Sequence, residues 1–505
     1  MTSARAELLA RLRDRAARLG DAPLVVAGDT VTGARELLAR TEAKVRALGE
    51  LGVGPGALVG TVAGPPAEFI SDVFAIIEAG GVAVPLSRKL TRWELDRLQE
   101  GCPLDFLAAP PESPLTLAGP VTGCGDRALS RGPGRIRPAF AEAATAQLTS
   151  GTTGRPRVAL RPAAALLAEA DHYRDALRLT PRTTLLCPVP LQHAYGFGLC
   201  ALAAPLAGAP VRQLPPDRPR MLLRELAAGD VALFVGVPPM LRLLAKSARG
   251  PVPAGRPVGF LSAGMALDAH TAEQVAVRLG GNVGEVYGTT ETGPICVRAP
   301  RPWRPGLRRP GVPLPGVKVT LAPVPGDAPE AGAGTGSGDA TRADATGPRD
   351  ATGPGAGPGA GTGLVTVESP SMMLGYADGD AVDTGPSRGG FTTGDLARWE
   401  GDDLVLAGRL STCINVAGAK VSPEEVEAVL LAWPEVASCL VTGVPDPVLG
   451  QRVSATVTPE TVDLAALDRF CRERLSDSRT PHTFAAVAEL PTTETGKVIR
   501  PRNDQ

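Results

Sequence analysis

Lysine is scarce in this chain: of its 52 basic residues only six are lysines, at positions 44, 89, 246, 318, 420 and 497. Aromatic residues make up 4% of the 505, and histidines number four. The eight cysteines (102, 124, 187, 200, 296, 413, 439 and 471) are scattered and contain no Cys-x-x-Cys pair. That spacing gives no disulfide framework and no zinc site, and it predicts free, buried thiols in a reducing compartment. Charge of either sign is not in excess, with 52 Lys+Arg against 53 Asp+Glu, so electrostatics offers no case for nucleic acid. Long apolar runs are missing too. The most apolar stretch, residues 195–211, is short for a membrane span and broken by Gly, Ala and Pro, so it reads as a buried segment. Residues 1–19 are Arg-rich and amphipathic, but Glu7 and Asp14 interrupt them and no signal-peptide core follows, which predicts a first helix. These absences together predict a soluble, cytoplasmic protein with no membrane span and no nucleic-acid partner.

What is present begins with length. A chain of 505 residues exceeds one ordinary core, so about two to four domains or subdomains are expected. Apolar runs at 24–27, 58–62 and 82–85 read as strands, with a helix over 66–80 between them. The alternation resumes with helices over 166–177 and 221–228 and strands over 184–188, 232–235 and 258–262. Strand and helix in turn argue for a largely parallel α/β sheet. Residues 323–362 collapse to Gly, Ala, Pro, Thr and Asp, too little apolar surface to order, so this stretch reads as a disordered insertion in a β-rich region. A boundary is expected at 408/409. Beyond it, Ser422-Pro423-Glu424-Glu425 starts a helix with a serine cap and proline at its first position. Strands at 438–444 and 452–457 and a helix at 464–475 complete an α+β unit of about a hundred residues.

One ten-residue stretch, 148–157, carries four small hydroxyl side chains, two glycines and two arginines. Glycine lets successive backbone N–H groups converge on an anion, hydroxyls add short donors, and arginine supplies charge that polyphosphate pairs with. It reads as a phosphate cradle; a flexible surface turn is the ordinary alternative. The Gly-x-x-x-x-Gly-Lys spacing of the Walker loop is absent, which sets aside a P-loop phosphotransferase. Further on, Tyr287-Gly288-Thr289-Thr290-Glu291 sets a carboxylate among hydroxyls, the hard-oxygen setting a magnesium ion bridged to phosphate prefers. Gly394-Asp395 offers a carboxylate to ribose hydroxyls, and Lys497 offers a compact point charge near the C-terminus. Each has a plainer reading as a loop glutamate, a packed tyrosine, a turn aspartate or a tail lysine.

In this order the fragments resemble the adenylate-forming enzymes, which include acyl-CoA and aryl-CoA ligases and peptide-synthetase adenylation domains. The resemblance spans about residues 24–500 without the insertion. It implies a large N-terminal layered α/β domain of several subdomains with a small β-barrel-like part, residues 1–408, and a mobile C-terminal α+β domain, 409–505. It implies two steps: a carboxylate attacks the ATP α-phosphate to give acyl-AMP and pyrophosphate, and a thiol then takes the acyl group. By that similarity Thr149, Ser150, Gly151, Thr152, Thr153, Gly154 and Arg157 belong to the phosphate loop, and Thr290 and Glu291 hold the α-phosphate and Mg²⁺. Tyr287 lies near adenine with Ala263 and Gly264, Asp395 and Arg409 take the ribose, and Lys497 bridges the attacking carboxylate and the ribose side of the leaving group. Lys420 keeps the pattern of the segment that serves the second step. The chain departs from the family at Arg157, Ser411 and Asn415, where lysine or an acid is usual.

Acyl- and aryl-activating relatives commonly carry histidine or an aromatic at the position of His193; a packed core histidine is its plainer reading. Ala194-Tyr195-Gly196-Phe197 holds no acid to pair with an amino-acid ammonium. The pocket candidates are His193, Tyr195, Phe197, Val235, Met265 and Glu285, and two aromatics favour a small aryl acid over an alkyl chain. The alternatives are a medium-chain fatty acyl ligase and a non-catalytic adenylate-binding relative. No carrier domain follows Lys497, so the expected acceptor comes in trans, as coenzyme A or the phosphopantetheine of a separate acyl carrier protein.

Overall fold

The computed structural model describes residues 3–134, 136–149, 157–252, 258–264, 267, 269–304, 311–323, 363–409, 414–417, 419–421 and 423–490. Two large sheets carry the N-terminal part. One has eight strands: Gly293–Arg301, Asn282–Thr289, Gly259–Ser262, Val231–Gly236, Thr184–Cys187, Val211–Gln213, Pro23–Ala27 and Thr30–Gly33, in that spatial order. Its inner strands are parallel, as the alternating pattern predicts, and antiparallel strands close both edges. The other has nine strands, with the parallel set Leu58–Val62, Val82–Leu86, Phe106–Ala109 and Ala143–Thr149 at its centre.

The helix Pro66–Glu78 shows how the sheets share a core. Its Phe69, Ile70, Val73, Phe74, Ile76 and Ile77 are all buried, and they point around more than one face. A helix apolar over most of its circumference has to be enclosed, and this one contacts strands of both sheets. The stretch 195–211 is likewise buried, as a short helix leading into the π-helical turn Phe197–Ala203. Among the described residues, no helix is long and apolar enough to cross a membrane. All seven described cysteines are buried and free of disulfides, as expected.

A four-stranded antiparallel sheet (Lys318–Ala322, Gly363–Glu368, Phe391–Glu400, Asp403–Arg409) stands where a small barrel-like part was expected. Among the described residues it stays open, since four strands are too few to curl into a closed cylinder. The last part is an α+β unit whose long hairpin, Ser438–Asp446 and Gly450–Thr458, packs on the helices Pro423–Leu430 and Leu464–Arg472.

That C-terminal unit docks on the helix Arg92–Gly101. Its N-cap Thr91 and Glu94 form a reciprocal capping box. Glu94 also reaches across: Oε1 accepts from the Ser476 backbone N–H (3.2 Å) and lies 3.0 Å from Arg479. Trp93 packs against the C-terminal core beside it.

Charge is also buried in the N-terminal core. Lys44 Nζ lies 2.7 Å from Asp72 Oδ1, and Arg127 Nε lies 2.7 Å from Asp72 Oδ2. The Thr61 hydroxyl adds a 2.9 Å bond to the same carboxylate. Removing one partner of such a cluster strands desolvated charge, at a cost of about 3–5 kcal/mol. Asp72→Ala should therefore lower the first denaturant transition by that amount. Lys89→Ala, which breaks the exposed 2.7 Å pair with Asp477, should shift it by less than about 0.5 kcal/mol. Equal effects of the two substitutions would contradict this reading of the core.

Candidate active site

Parallel strands deliver their C-terminal ends to one edge of a sheet, where open α/β folds bind ligands. Here Thr184–Cys187, Val231–Gly236, Gly259–Ser262 and Asn282–Thr289 lie side by side and parallel. The residues after them, His193, Val237, Ala263–Gly264 and the turn 289–292, therefore emerge along one rim. The second sheet brings Thr149 and Arg157 there as register partners, flanking residues 150–156. Ser150, Gly151, Thr152, Thr153 and Gly154 lie outside the described residues, as do Met265 and Lys497; the side chains of Arg409 and Lys420 are likewise not described.

The turn at Thr290 and Glu291 is locally specified. The Thr289 hydroxyl accepts from the Thr292 N–H (3.2 Å), and the chain then needs positive φ at Gly293 (67°). A Cβ on Gly293 would fall 2.7 Å from Ser371 Cβ, so glycine alone allows segment 371–376 to lie against the turn. That segment grips Glu291 twice. The Met373 N–H donates to the Glu291 carbonyl at 2.7 Å, and the Tyr376 hydroxyl donates to its Oε1 at 2.8 Å. The Arg157 guanidinium lies over the Tyr376 ring, 5.0 Å from its centre. Burial, then the Glu291 charge, push the Tyr376 phenol well above its ordinary range, so it remains a donor.

A second brace joins Tyr287 to Asp395. The Tyr287 hydroxyl donates to Asp395 Oδ2 at 3.0 Å and lies 3.2 Å from the Thr393 hydroxyl, which also accepts from the Asp395 N–H. Burial and the Asp395 charge raise the Tyr287 phenol far above the tyrosine norm. Its ring is 7% exposed and packs with Ile295, Cys296, Val365 and Val367, which leaves little face for a base to stack on. Asp395 and Arg409 are backbone partners across adjacent strands. Tyr287, Thr393 and Asp395 thus form one unit from segments that stand about a hundred residues apart.

On the acyl side the expected residues separate. Phe197 and Val235 are fully buried in the main core, and Tyr195 donates its hydroxyl to the Leu261 carbonyl at 3.2 Å. Tyr195 therefore anchors the strand that leads into Ala263 and Gly264. Ala263 is buried, its N–H bonded to the Gly236 carbonyl at 3.3 Å, and Gly264 turns with φ of 82°. Glu285 is half-buried, and its Oε1 accepts from the Leu267 N–H at 3.4 Å. His193 keeps contact with water, yet the surrounding protein, and then the Arg479 guanidinium, push its pKa below the ordinary value.

Whether the site suits a divalent cation is decided by its donors. Among the described residues no group of three or more His, Cys, Asp or Glu could hold a metal alone. Glu291 is a single hard-oxygen donor with Oε1 committed to Tyr376, which fits magnesium held mainly by phosphate oxygens and water. Tyr376 and Thr393 are the residues that sequence reasoning missed. Tyr376 carries one faint signal, as one of only four tyrosines in the chain.

Tyr287→Phe keeps the ring and removes the brace on Asp395. A hydrogen bond to a charged group contributes about 1.5 kcal/mol or more, so AMP binding measured by calorimetry should weaken about tenfold. An unchanged affinity would remove the brace from nucleotide binding. For His193 the sign follows from linkage: a folded state that resists protonation loses stability as pH falls below the free imidazole value, about 6.5. His193→Gln should flatten the stability profile between about pH 7 and 5, and an identical acid limb in both proteins would refute this.

Two family models match the chain: "AMP-binding enzyme" over residues 12–336 and "AMP-binding enzyme C-terminal domain" over 425–497. A feruloyl-CoA synthase from an Amycolatopsis species is 27% identical, with 94% of this chain and 93% of that protein aligned. A naringenin synthase from Pestalotiopsis fici is also 27% identical over 97% of this chain, which spans 18% of that much longer protein. Among solved structures, a malonyl-CoA ligase complex with methylmalonyl-CoA and AMP superposes with a TM-score of 0.73 at 28% identity, covering 93% of this chain and 97% of that one. The first family model alone covers well over half of the sequence, and the chain belongs to the AMP-binding enzymes.

Proposed function

We propose that the protein activates a small carboxylic acid with ATP and passes the acyl group to the thiol of coenzyme A. One observation carries the reading: Tyr376–Glu291 and Tyr287–Asp395 hold the two carboxylates that a nucleotide–magnesium complex needs, beside the Arg157 end of the phosphate loop. In the first step a carboxylate oxygen attacks the α-phosphorus and the bond to pyrophosphate breaks. In the second, the thiol sulfur attacks the acyl carbon, the acyl–oxygen bond to AMP breaks, and the thiol proton passes to solvent.

Such transfers depend on positioning and charge neutralisation more than on acid–base chemistry. Residues 149–154 and Arg157 hold the β- and γ-phosphates, Thr290 and Glu291 meet the α-phosphate, and Asp395 with Arg409 takes the ribose. Magnesium, held by Glu291, supplies charge neutralisation on the phosphates. Lys497 approaches the attacking carboxylate, while Lys420 serves the second step. Residues 1–408 form the nucleotide- and acyl-binding domain, and residues 409–505 a C-terminal domain that moves between the two steps. The acid we assign is a small aryl acid received beside His193, Met265 and Glu285; the feruloyl-CoA synthase relative supports that class. Coenzyme A as acceptor is supported by the same name and by the malonyl-CoA ligase.

Pyrophosphate release across a panel of aryl and alkyl acids tests the reading. Stimulation by an aryl acid, followed by thioester formation when coenzyme A is added, is the expected result. No stimulation by any acid would overturn it. Lys497→Ala should slow acyl-AMP formation by about 10²–10³ while leaving ATP affinity within about twofold, since it removes charge stabilisation that develops in the transition state. Undiminished acyl-AMP formation in that variant would remove Lys497 from the first step.

A further inference from the structure

We infer that Tyr376 is a positioning residue that holds Glu291 and Arg157 in fixed relation, so that the carboxylate meets the cation and the guanidinium meets the phosphates as one unit. The inference rests on the adenylation reading of the site.

Three observations meet at this one ring. The hydroxyl donates to Glu291 Oε1 at 2.8 Å, which fixes the plane of the carboxylate and leaves Oε2 as the oxygen for a cation. The guanidinium of Arg157 lies 5.0 Å from the ring centre, within the range of a cation–π contact. The ring itself is 6% exposed, packed with Ala159, Met373 and Phe391. A side chain so enclosed has one rotamer available, and what rests on it inherits that rigidity.

The backbone makes the coupling mechanical. Tyr376 is the register partner of Ala159, two residues beyond Arg157, so one strand pair carries both the ring and the end of the phosphate loop. Upstream in the same segment, Met373 donates to the Glu291 carbonyl and Leu374 to the Leu160 carbonyl. Arg161, buried and 2.6 Å from Glu169, donates to the Ser371 carbonyl at 2.8 Å. Segment 371–376 is therefore fastened to the phosphate-loop strand and to the Glu291 turn together.

This arrangement also gives a physical reason for arginine at 157. A flat, delocalised guanidinium stacks on an aromatic face and still directs N–H groups outward, whereas a compact, strongly hydrated ammonium does not. Arg157→Lys is then not a conservative change here.

The test reads binding, with no acid present and hence no turnover. Calorimetric titration of ATP into the full chain at a series of Mg²⁺ concentrations gives the Mg²⁺ needed for half-maximal affinity. Tyr376→Phe should raise that concentration about five- to tenfold, and saturating Mg²⁺ should restore ATP affinity to within about twofold. Tyr376→Leu should in addition weaken ATP binding at saturating Mg²⁺, and adding Arg157→Lys to it should cost little more, because the stacking surface is already gone. In a Glu291→Gln background, Tyr376→Phe should no longer change the Mg²⁺ requirement. A merely structural role would lower thermal stability without moving the Mg²⁺ dependence. Identical Mg²⁺ curves for wild type and Tyr376→Phe, or additive effects of Tyr376→Phe and Glu291→Gln, would overturn the inference. Failure of the wild type to bind ATP at any Mg²⁺ concentration would instead overturn the adenylation reading beneath it.

Discussion

The hydrogen bond from Tyr376 to Glu291 joins two parts of the chain that local folding does not bring together. Glu291 sits on a hairpin turn of the eight-stranded sheet, and Tyr376 sits on a strand of the nine-stranded one. A turn carboxylate left to itself samples many rotamers, and an ion held by one such donor gains little from it. Fixing both its carbonyl, through Met373, and its Oε1, through Tyr376, removes that freedom before any ligand arrives. Charge stabilisation is strongest where the stabilising groups need no reorganisation at the moment of reaction. The Tyr287–Asp395 brace applies the same device to a second carboxylate.

The Tyr376 brace stands on a floor of buried charge. Arg161 pairs with Glu169 while both are almost fully buried, and Arg161 also holds the Ser371 carbonyl. Gly198 is what lets Glu169 fit: a Cβ there would fall 1.8 Å from the carboxylate oxygen Oε1. His172 bonds the Pro315 carbonyl at 2.9 Å and brings the four-stranded sheet into the same region. A buried ion pair is a poor source of net stability, because desolvation offsets most of its attraction. Its use here is directional. It fixes where segment 371–376 crosses the strand Arg157–Pro162, and so where Tyr376 points.

Much of the scaffold was legible in the sequence, and the reasons are local. The apolar run at 58–62 became the strand Leu58–Val62, and the helix expected over 66–80 became Pro66–Glu78. Strong periodicity and proline at a helix start act over a few residues, so the chain shows them directly. The hairpin of the C-terminal unit was readable for the same reason, although pairing carries the first strand two residues past its expected end and starts the second two residues early. Tyr376 was not readable, since its partner lies 85 residues away and nothing in the spacing of either segment encodes the contact. Tyr287 was expected near a base, and its hydroxyl is bonded to Asp395 while its ring is buried. Phe197 and Val235 were expected at the pocket and lie fully buried, because an apolar residue beside a functional run looks the same whether it faces a ligand or the core.

The central claim is that a carboxylate oxygen attacks the α-phosphorus of ATP at this site. It is tested most directly by following the oxygen atoms. With an accepted acid labelled with ¹⁸O in its carboxylate, and coenzyme A present to complete turnover, the AMP released should contain one ¹⁸O atom and the pyrophosphate none. Label in pyrophosphate or inorganic phosphate, or AMP free of ¹⁸O, would contradict the account.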